Sequence, residues 1–302
     1  MTKFKAWISA ARLRTLPLSV SGILVGATLA SFYGYSNMLI FWLAVLTTIG
    51  FQVTSNFAND YGDGIKGTDN EQRIGPKRAL QSGLLTQSSL KKGIIISILI
   101  DFFLVLALLY VSFGLKEITW GLLFLFLGVL SIWAAIKYTV GKNAYGYQGL
   151  GDLFVFLFFG LLAVQGSMFL FVKSIFFVSF LPAITVGLLS VGVLNLNNLR
   201  DHISDKDSGK NTLIVKIGFE KGKFYHFIIL ILAFLSWLIF LNVTAKEWKH
   251  WISLVAFVPI FIHMVKVWHV NSPASLDPEL KKVALSTFLM ALLFYFSYYN
   301  FL

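Results

Sequence analysis

The stretch FWLAVLTTIGFQVTSNFANDYGD, residues 41–63, is an apolar run that ends in amides and carboxylates. Its apolar part has the length of a segment that crosses a bilayer as a helix, because a helix satisfies its own backbone hydrogen bonds in hydrocarbon. The polar end holds Asn56, Asn59, Asp60 and Asp63. Carboxylates at the end of a membrane helix are costly unless they serve a function, so this stretch predicts a chemical site at the membrane surface.

The rest of the chain has the same apolar character. Of its 302 residues, 57% are hydrophobic, and the mean hydropathy is +0.77. This composition predicts an all-α, polytopic membrane protein. The chain contains no cysteine, which excludes disulfides and thiolate metal sites. The basic, then apolar, start is similar to a signal peptide, but the later spans favour a retained first helix. Nine spans are predicted, at 17–35, 38–60, 93–113, 118–137, 150–172, 174–198, 224–243, 250–269 and 282–300.

The distribution of basic residues predicts how the helices are orientated. Lys and Arg concentrate in the N-terminal arm and in alternate connections, which lie on one side of a nine-span bundle. The positive-inside rule then puts the N-terminus in the cytosol and the C-terminus outside, in a bacterial inner membrane. The net charge of +11 requires no nucleic acid, since topology and anionic lipid already favour it. The exceptions are Lys116, Lys173, Lys246 and Lys249.

Two long cytosolic connections, 61–92 and 199–223, each follow a helix end rich in Asn and Asp. The similarity between these ends is a weak sign of duplication and predicts a single membrane domain, 1–302, made of two four-helix halves and a ninth helix. Because a helix turns about 100° per residue, the polar side chains of each end gather on one side and face a common cavity. The residues concerned are Asn56, Asn59, Asp60, Asp63, Asn198, Asp201 and Asp205.

Converging carboxylates repel one another, so a cation is expected between them. Mg²⁺ is favoured because it prefers oxygen ligands and commonly binds through one or two carboxylates together with substrate phosphates. Lys and Arg on the same side would bind anionic oxygens, which completes a diphosphate site. Solvated loop charges are the alternative interpretation, and the presence of two similar motifs argues against it. The basic candidates are Arg73, Lys77, Arg78, Lys142 and Lys210.

These motifs resemble those of the UbiA superfamily of intramembrane aromatic prenyltransferases. The resemblance lies in NDYGD (59–63), the arginine pair after it, and Asp201 and Asp205 followed by GKNTL (209–213). Nine spans also suit this family, so the resemblance covers nearly the whole chain. Two longer stretches are most similar to the branch that prenylates 1,4-dihydroxy-2-naphthoate in menaquinone (vitamin K2) synthesis: SNFANDYGDGIKGTDNEQRIGPKRALQSG (55–83) and YTVGKNAYGYQGLGDLFVFLFFG (138–160).

The resemblance implies a Mg²⁺-dependent transfer from a polyprenyl diphosphate to dihydroxynaphthoate, with loss of CO₂ and diphosphate. It gives Asn59, Asp63, Asp201 and Asp205 the central roles, as metal ligands rather than nucleophiles. The family's first motif has a further Asp four residues after Asp63, but here that position is Gly67 and the next acid is Asp69. Either an insertion brings Asp69 into the site, or Asp60 and Asp63 serve without it.

The substrate contacts are less specific in sequence. Aromatic side chains near the mouth would shield a prenyl cation, with core or interface packing as the alternative for each of them. A basic residue would anchor the ring carboxylate. The aromatic candidates are Tyr138, Tyr145 and Tyr147, and the carboxylate candidates are Arg14 and Lys142.

Two other functions are compatible with these features. A transporter would also carry acids within helices, and Asp101 is the one carboxylate predicted deep in a span. Transporters bind near the membrane midplane, however, whereas the acids here gather at one face. The other alternative is a prenyltransferase of the same family with another acceptor, such as 4-hydroxybenzoate, homogentisate or a chlorin.

Overall fold

The computed structural model describes residues 2–69, 74–75 and 77–298, and all regular elements in these ranges are helical. The predicted all-α class is therefore confirmed. A π-helical stretch, Phe156–Gly166, joins α6 to α7, and a 3₁₀ stretch, Trp248–Phe257, leads into α11. The α-helices are α1 (Lys3–Ala11), α2 (Leu16–Phe32), α3 (Met38–Lys66), α4 (Gln87–Phe113), α5 (Ile118–Lys137), α6 (Gly151–Val155), α7 (Ser167–Val172), α8 (Phe180–Asp207), α9 (Leu213–Ile217), α10 (Phe219–Thr244), α11 (Val258–Trp268) and α12 (Asp277–Tyr298).

Within the described ranges, nine helical stretches are long and apolar enough to cross a membrane, as the sequence predicts. The chain is thus a multi-pass membrane protein. The stretches are Lys3–Phe32, Met38–Lys66, Gln87–Phe113, Ile118–Lys137, Gly151–Val172, Phe177–Asp207, Phe219–Thr244, Trp248–Trp268 and Pro273–Tyr298.

The helices differ from the predicted spans mainly at their polar ends. α3 continues to Lys66 and α8 to Asp207, so both acidic motifs lie in the last turns of helices. A span predicted from hydropathy stops at the first charged residues, but helical hydrogen bonding does not depend on hydropathy. The sequence analysis also missed α1, which precedes the predicted first span and is separated from α2 by Arg12 in the left-handed conformation (φ 50°).

The chain forms two compact units, and the first contains Met1–Leu16, Leu43–Gly151 and Asp201–Ile217. In this unit α1 packs on α3 and α4, and the ring of Trp7 lies 5.2 Å from that of Phe57. Asp101 of α4 is fully buried, and Thr54 of α3 donates to its Oδ2 at 2.5 Å. Asp101 therefore joins α3 and α4 through a buried hydrogen bond.

The second unit contains Pro17–Trp42, Asp152–Arg200 and Gly218–Leu302. Its core includes the fully buried rings of Trp237, Phe240 and Phe294. A buried polar chain ties its last three helices together. Glu279 accepts hydrogen bonds from Lys266 at 2.7 Å, from Lys282 at 2.8 Å and from His263 Nδ1 at 2.8 Å. His263 Nε2 in turn lies 2.9 Å from Nε2 of His226, so each of these helices contributes to one hydrogen-bonded network.

Gly160 lies where the π-helical stretch crosses α8 at very close range. A Cβ atom there would come within 2.6 Å of the Cα atom of Gly187 and within 2.7 Å of the carbonyl oxygen of Ala183. Because both are backbone atoms, neither helix can yield locally. We expect Gly160→Ala to lower the free energy of unfolding by about 1–3 kcal/mol, measured as a lower thermal midpoint in detergent.

Gly121→Ala is the matched control, since a Cβ on Gly121 meets no atom within 4 Å. Alanine there is expected to stabilise α5 slightly, by about 0.5–1 kcal/mol. Equal thermal midpoints for the two variants would show that the close helix crossing at Gly160 does not contribute to the stability of the fold.

Candidate active site

The first unit brings its two acidic helix ends together around the ammonium of Lys210. Gly209, with φ 74°, turns the chain at the end of α8, and the backbone N–H of Lys210 then donates to the carbonyl of Asp205 at 2.8 Å. The Lys210 Nζ lies 3.4 Å from Oδ1 of Asp205. Burial alone would lower the pKa of Lys210, but Asp63 and Asp205 raise it above its ordinary value. The lysine is therefore a permanent cation beside both motifs.

Tyr147 connects the first acidic motif to this lysine. Its hydroxyl donates to Asp63 Oδ1 at 2.7 Å and lies 2.5 Å from the hydroxyl of Thr68. The Lys66 Nζ stands 3.7 Å from the centre of the Tyr147 ring. Burial and the carboxylate of Asp63 raise the pKa of Tyr147, so its hydroxyl stays protonated and holds Asp63 as a donor. Because the ammonium of Lys66 already lies over the ring of Tyr147, this ring is less suited to shield a prenyl cation.

Asp63, Asp201 and Asp205 form the acidic part of the site. Asp205 interacts electrostatically with the other two carboxylates. No three His, Cys, Asp or Glu side chains in the described ranges already form a metal-binding cluster. One buried oxygen of this group, Asp205 Oδ2, nevertheless accepts no hydrogen bond from any described residue. A hard, unsatisfied oxygen near several carboxylates fits Mg²⁺, which keeps much of its water and shares phosphate ligands. In the second unit, the buried Oδ1 of Asn198 likewise accepts no hydrogen bond from any described residue, and its role as a ligand stays a prediction.

The other acids of the first motif belong to an arginine cluster. Asp60 pairs with Arg12, and its Oδ1 also lies 3.7 Å from the Arg78 Nε. The same nitrogen of Arg78 lies 3.8 Å from Oδ1 of Asp69. Asp60 and Asp69 thus fasten the N-terminal arm and the connection after α3 to the end of α3. Their role as metal ligands stays a prediction.

The two asparagines of this motif contact other parts of the first unit. Asn56 donates to the carbonyl of Ala11 at 2.9 Å and so holds the end of α1. The hydroxyl of Thr139 lies 3.3 Å from Oδ1 of Asn59. Both amides therefore hold neighbouring segments in place. Their role as metal ligands stays a prediction.

The other predicted substrate residues are exposed or make contacts elsewhere. The side chains of Arg14, Lys77 and Lys142 are exposed. Tyr145 donates to the carbonyl of Ala134 at 2.9 Å and packs against Tyr138, so its hydroxyl serves the α5 end. Arg73 lies outside the described residues.

The structure adds residues that the sequence analysis did not select, above all Arg12, Lys66 and Thr68. A buried Asp60 requires a cation, but nothing in the spacing of the sequence shows that Arg12, 48 residues away, supplies it. Lys66 fits the positive-inside bias, so its place in the sequence predicts no particular contact. Thr68 carries no sequence signal of its own.

The first unit thus gathers carboxylates, lysine and arginine at the ends of helices that are long and apolar enough to cross a membrane. The model of the UbiA prenyltransferase family matches residues 19–294, and the chain belongs to this family. It is 42% identical over 295 residues to a 1,4-dihydroxy-2-naphthoate octaprenyltransferase of Haemophilus influenzae, which covers 97% of this chain and 95% of the relative. The protein of the same name from Escherichia coli is 39% identical over the same shares of both chains.

Solved structures share the fold. A digeranylgeranylglyceryl phosphate synthase aligns over 100% of both chains with a TM-score of 0.63 and 17% identity. A UbiA homologue from Archaeoglobus fulgidus, solved with GPP and Mg²⁺, covers 96% of this chain and 99% of its own, with a TM-score of 0.60 and 11% identity. The resemblance seen in the sequence is therefore confirmed at the level of family and fold.

Proposed function

We propose that the protein transfers a polyprenyl group from an allylic polyprenyl diphosphate to 1,4-dihydroxy-2-naphthoate, giving demethylmenaquinone for menaquinone synthesis. The near full-length similarity to relatives that carry this name is the observation that supports it most directly. The cluster of Asp63, Asp205 and Lys210 supports the diphosphate half of the proposal, because it combines ligands for a divalent ion with a cation for phosphate oxygens.

Asp63, Asp201 and Asp205 are the residues that would hold Mg²⁺. A bound Mg²⁺ would stabilise the negative charge that develops on diphosphate as the allylic C–O bond breaks. The protein's own contribution is to position the charges before reaction. Tyr147 fixes the orientation of Asp63, while Lys66 and Lys210 supply positive charge beside the acids.

The acceptor half of the reaction forms one bond and breaks another on the naphthalene ring. The electron-rich ring carbon that carries the carboxylate attacks the prenyl carbon and forms the new C–C bond. The bond between the ring and the carboxylate then breaks, CO₂ leaves, and the electrons of that bond stay with the ring and restore its aromaticity. No net proton release from that carbon is needed. The exposed basic side chains Arg14 and Lys142 remain our candidates for anchoring the carboxylate of the acceptor, since the aqueous substrate must enter from the loop side.

We also propose that the acidic helix ends face the cytosol. The basic connections support this orientation, because they lie on the same side as Asp63 and Asp205. A site at that interface admits the oily donor from the bilayer and the soluble acceptor from water.

The function is tested with purified protein in detergent, Mg²⁺, a long polyprenyl diphosphate, and dihydroxynaphthoate labelled in its carboxylate. We expect one labelled CO₂ for each prenylated product, and no turnover when a chelator removes divalent ions. 4-Hydroxybenzoate is the matched acceptor. Prenylation of 4-hydroxybenzoate without turnover of dihydroxynaphthoate would contradict the acceptor assignment but keep the family chemistry.

A further inference from the structure

The helix α1 has three distinct sides. At about 100° per residue, Ala6 and Ala10 lie on one side, Phe4 and Ile8 lie together about 160° away on the nearly opposite side, and Lys5 and Ser9 lie between them. The first side is buried against α3 and α4. A helix that contacts only protein and water would need a buried side and a polar side, so the side of Phe4 and Ile8 requires another explanation.

The second side is apolar and exposed. Phe4 is 73% exposed and Ile8 is 43% exposed, and Leu13, just after the helix, is 48% exposed. Two large apolar side chains four residues apart form a continuous ridge on a helix surface. Exposed to water, this ridge would be unfavourable, so it requires an apolar neighbour.

The position and charge of α1 indicate what that neighbour is. The stretch Lys3–Phe32 is 30 residues long, more than the roughly 20 that a bilayer requires, and it bends at Arg12, which lies in the left-handed conformation. α1 therefore has no need to continue the span. Lys3, Lys5 and Arg14 are exposed, and the chain has no Asp or Glu before Asp60. A cationic, acid-free arm with an apolar ridge is complementary to an anionic lipid surface.

We propose that α1 is an interfacial helix that lies in the headgroup region of an anionic phospholipid leaflet, with Phe4 and Ile8 in lipid and Lys5 in water. The side that carries Ala6 and Ala10 stays docked on α3 and α4, together with Trp7. This surface is separate from the acidic site and does not depend on the proposed reaction.

The absence of cysteine allows a direct test with single labels. Ile8→Cys and Ser9→Cys, each carrying a polarity-sensitive fluorophore, are compared in nanodiscs that hold one protein copy and again in discs that hold two. The discs contain phosphatidylcholine alone or with phosphatidylglycerol. We expect lipid-borne spin labels to quench the Ile8 fluorophore several-fold more than the Ser9 fluorophore, and aqueous acrylamide to do the reverse. Phosphatidylglycerol should strengthen the contrast, and Lys3→Gln with Lys5→Gln should remove that increase.

Each other outcome overturns the proposal. Equal quenching of both labels by acrylamide would place α1 in water. Protection of the Ile8 label only in discs with two copies would assign the ridge to a second copy of the chain. A contrast that phosphatidylglycerol does not change would refute the role of anionic lipid.

Discussion

Asp63→Asn and Asp205→Asn are each expected to lower kcat/KM by at least about 100-fold, the scale on which pre-positioned charge contributes to catalysis. Both carboxylates lie beside Lys210, and an amide supplies neither the charge nor the second anionic oxygen that a divalent ion requires. Prenyl transfer at saturating and at limiting Mg²⁺ measures the effect. The loss should be greater at limiting Mg²⁺, because the variants bind the ion more weakly.

Asp207→Asn is a suitable control for these variants. Asp207 is two residues from Asp205 on the same helix, but its side chain is exposed. Its replacement should leave turnover within about twofold of the unmodified protein, since exposed charges are strongly screened. Near-normal turnover of Asp63→Asn or Asp205→Asn at limiting Mg²⁺ would refute the metal assignment.

Lys210→Met should destabilise the metal-free protein and do so far less when Mg²⁺ is present. Methionine keeps the length of the side chain but leaves Asp63 and Asp205 without their buried cation. Loss of one partner from a buried ion pair typically costs about 3–5 kcal/mol. Thermal unfolding in detergent, with a chelator and then with Mg²⁺, measures the effect without reference to activity.

Lys216→Met provides the comparison for this variant, because Lys216 is exposed and donates to the carbonyl of Gln148 at 2.6 Å. Its effect should be within about 0.5 kcal/mol, as for most surface changes. An equal loss of stability for Lys210→Met in chelator and in Mg²⁺ would show that the lysine acts only through packing.

The sequence predicts the helices well because membrane spans are set by hydropathy over about twenty residues, a strong local signal. It also places Asp63, Asp205 and Lys210 on one side of the membrane, and the structure brings these three together. The predictions for Lys77 and Lys142 were less specific, because the positive-inside bias puts lysines near the site whether or not they contact it. Both are exposed.

The arginine cluster shows what the sequence could not supply. Asp60 belongs to the acidic motif by spacing, and a helix places it on the same side as Asp63. Its partners depend on how the N-terminal arm and the connection after α3 fold back, which is a long-range contact without a local pattern. For the same reason, the sequence does not distinguish Tyr147 from Tyr138 and Tyr145, although only a folded chain brings its hydroxyl to Asp63.

The pairing of Asp60 with Arg12 and Arg78 also has a consequence for biosynthesis. The three partners come from well-separated positions, so a growing chain cannot complete this fastening until the ribosome has made the segment that contains Arg78. Before that segment is available, the arm before α3 lacks these final protein contacts. We expect the leaflet itself to retain the nascent arm at this stage, so that the last step of its docking is a short move along the membrane rather than a search through the cytosol.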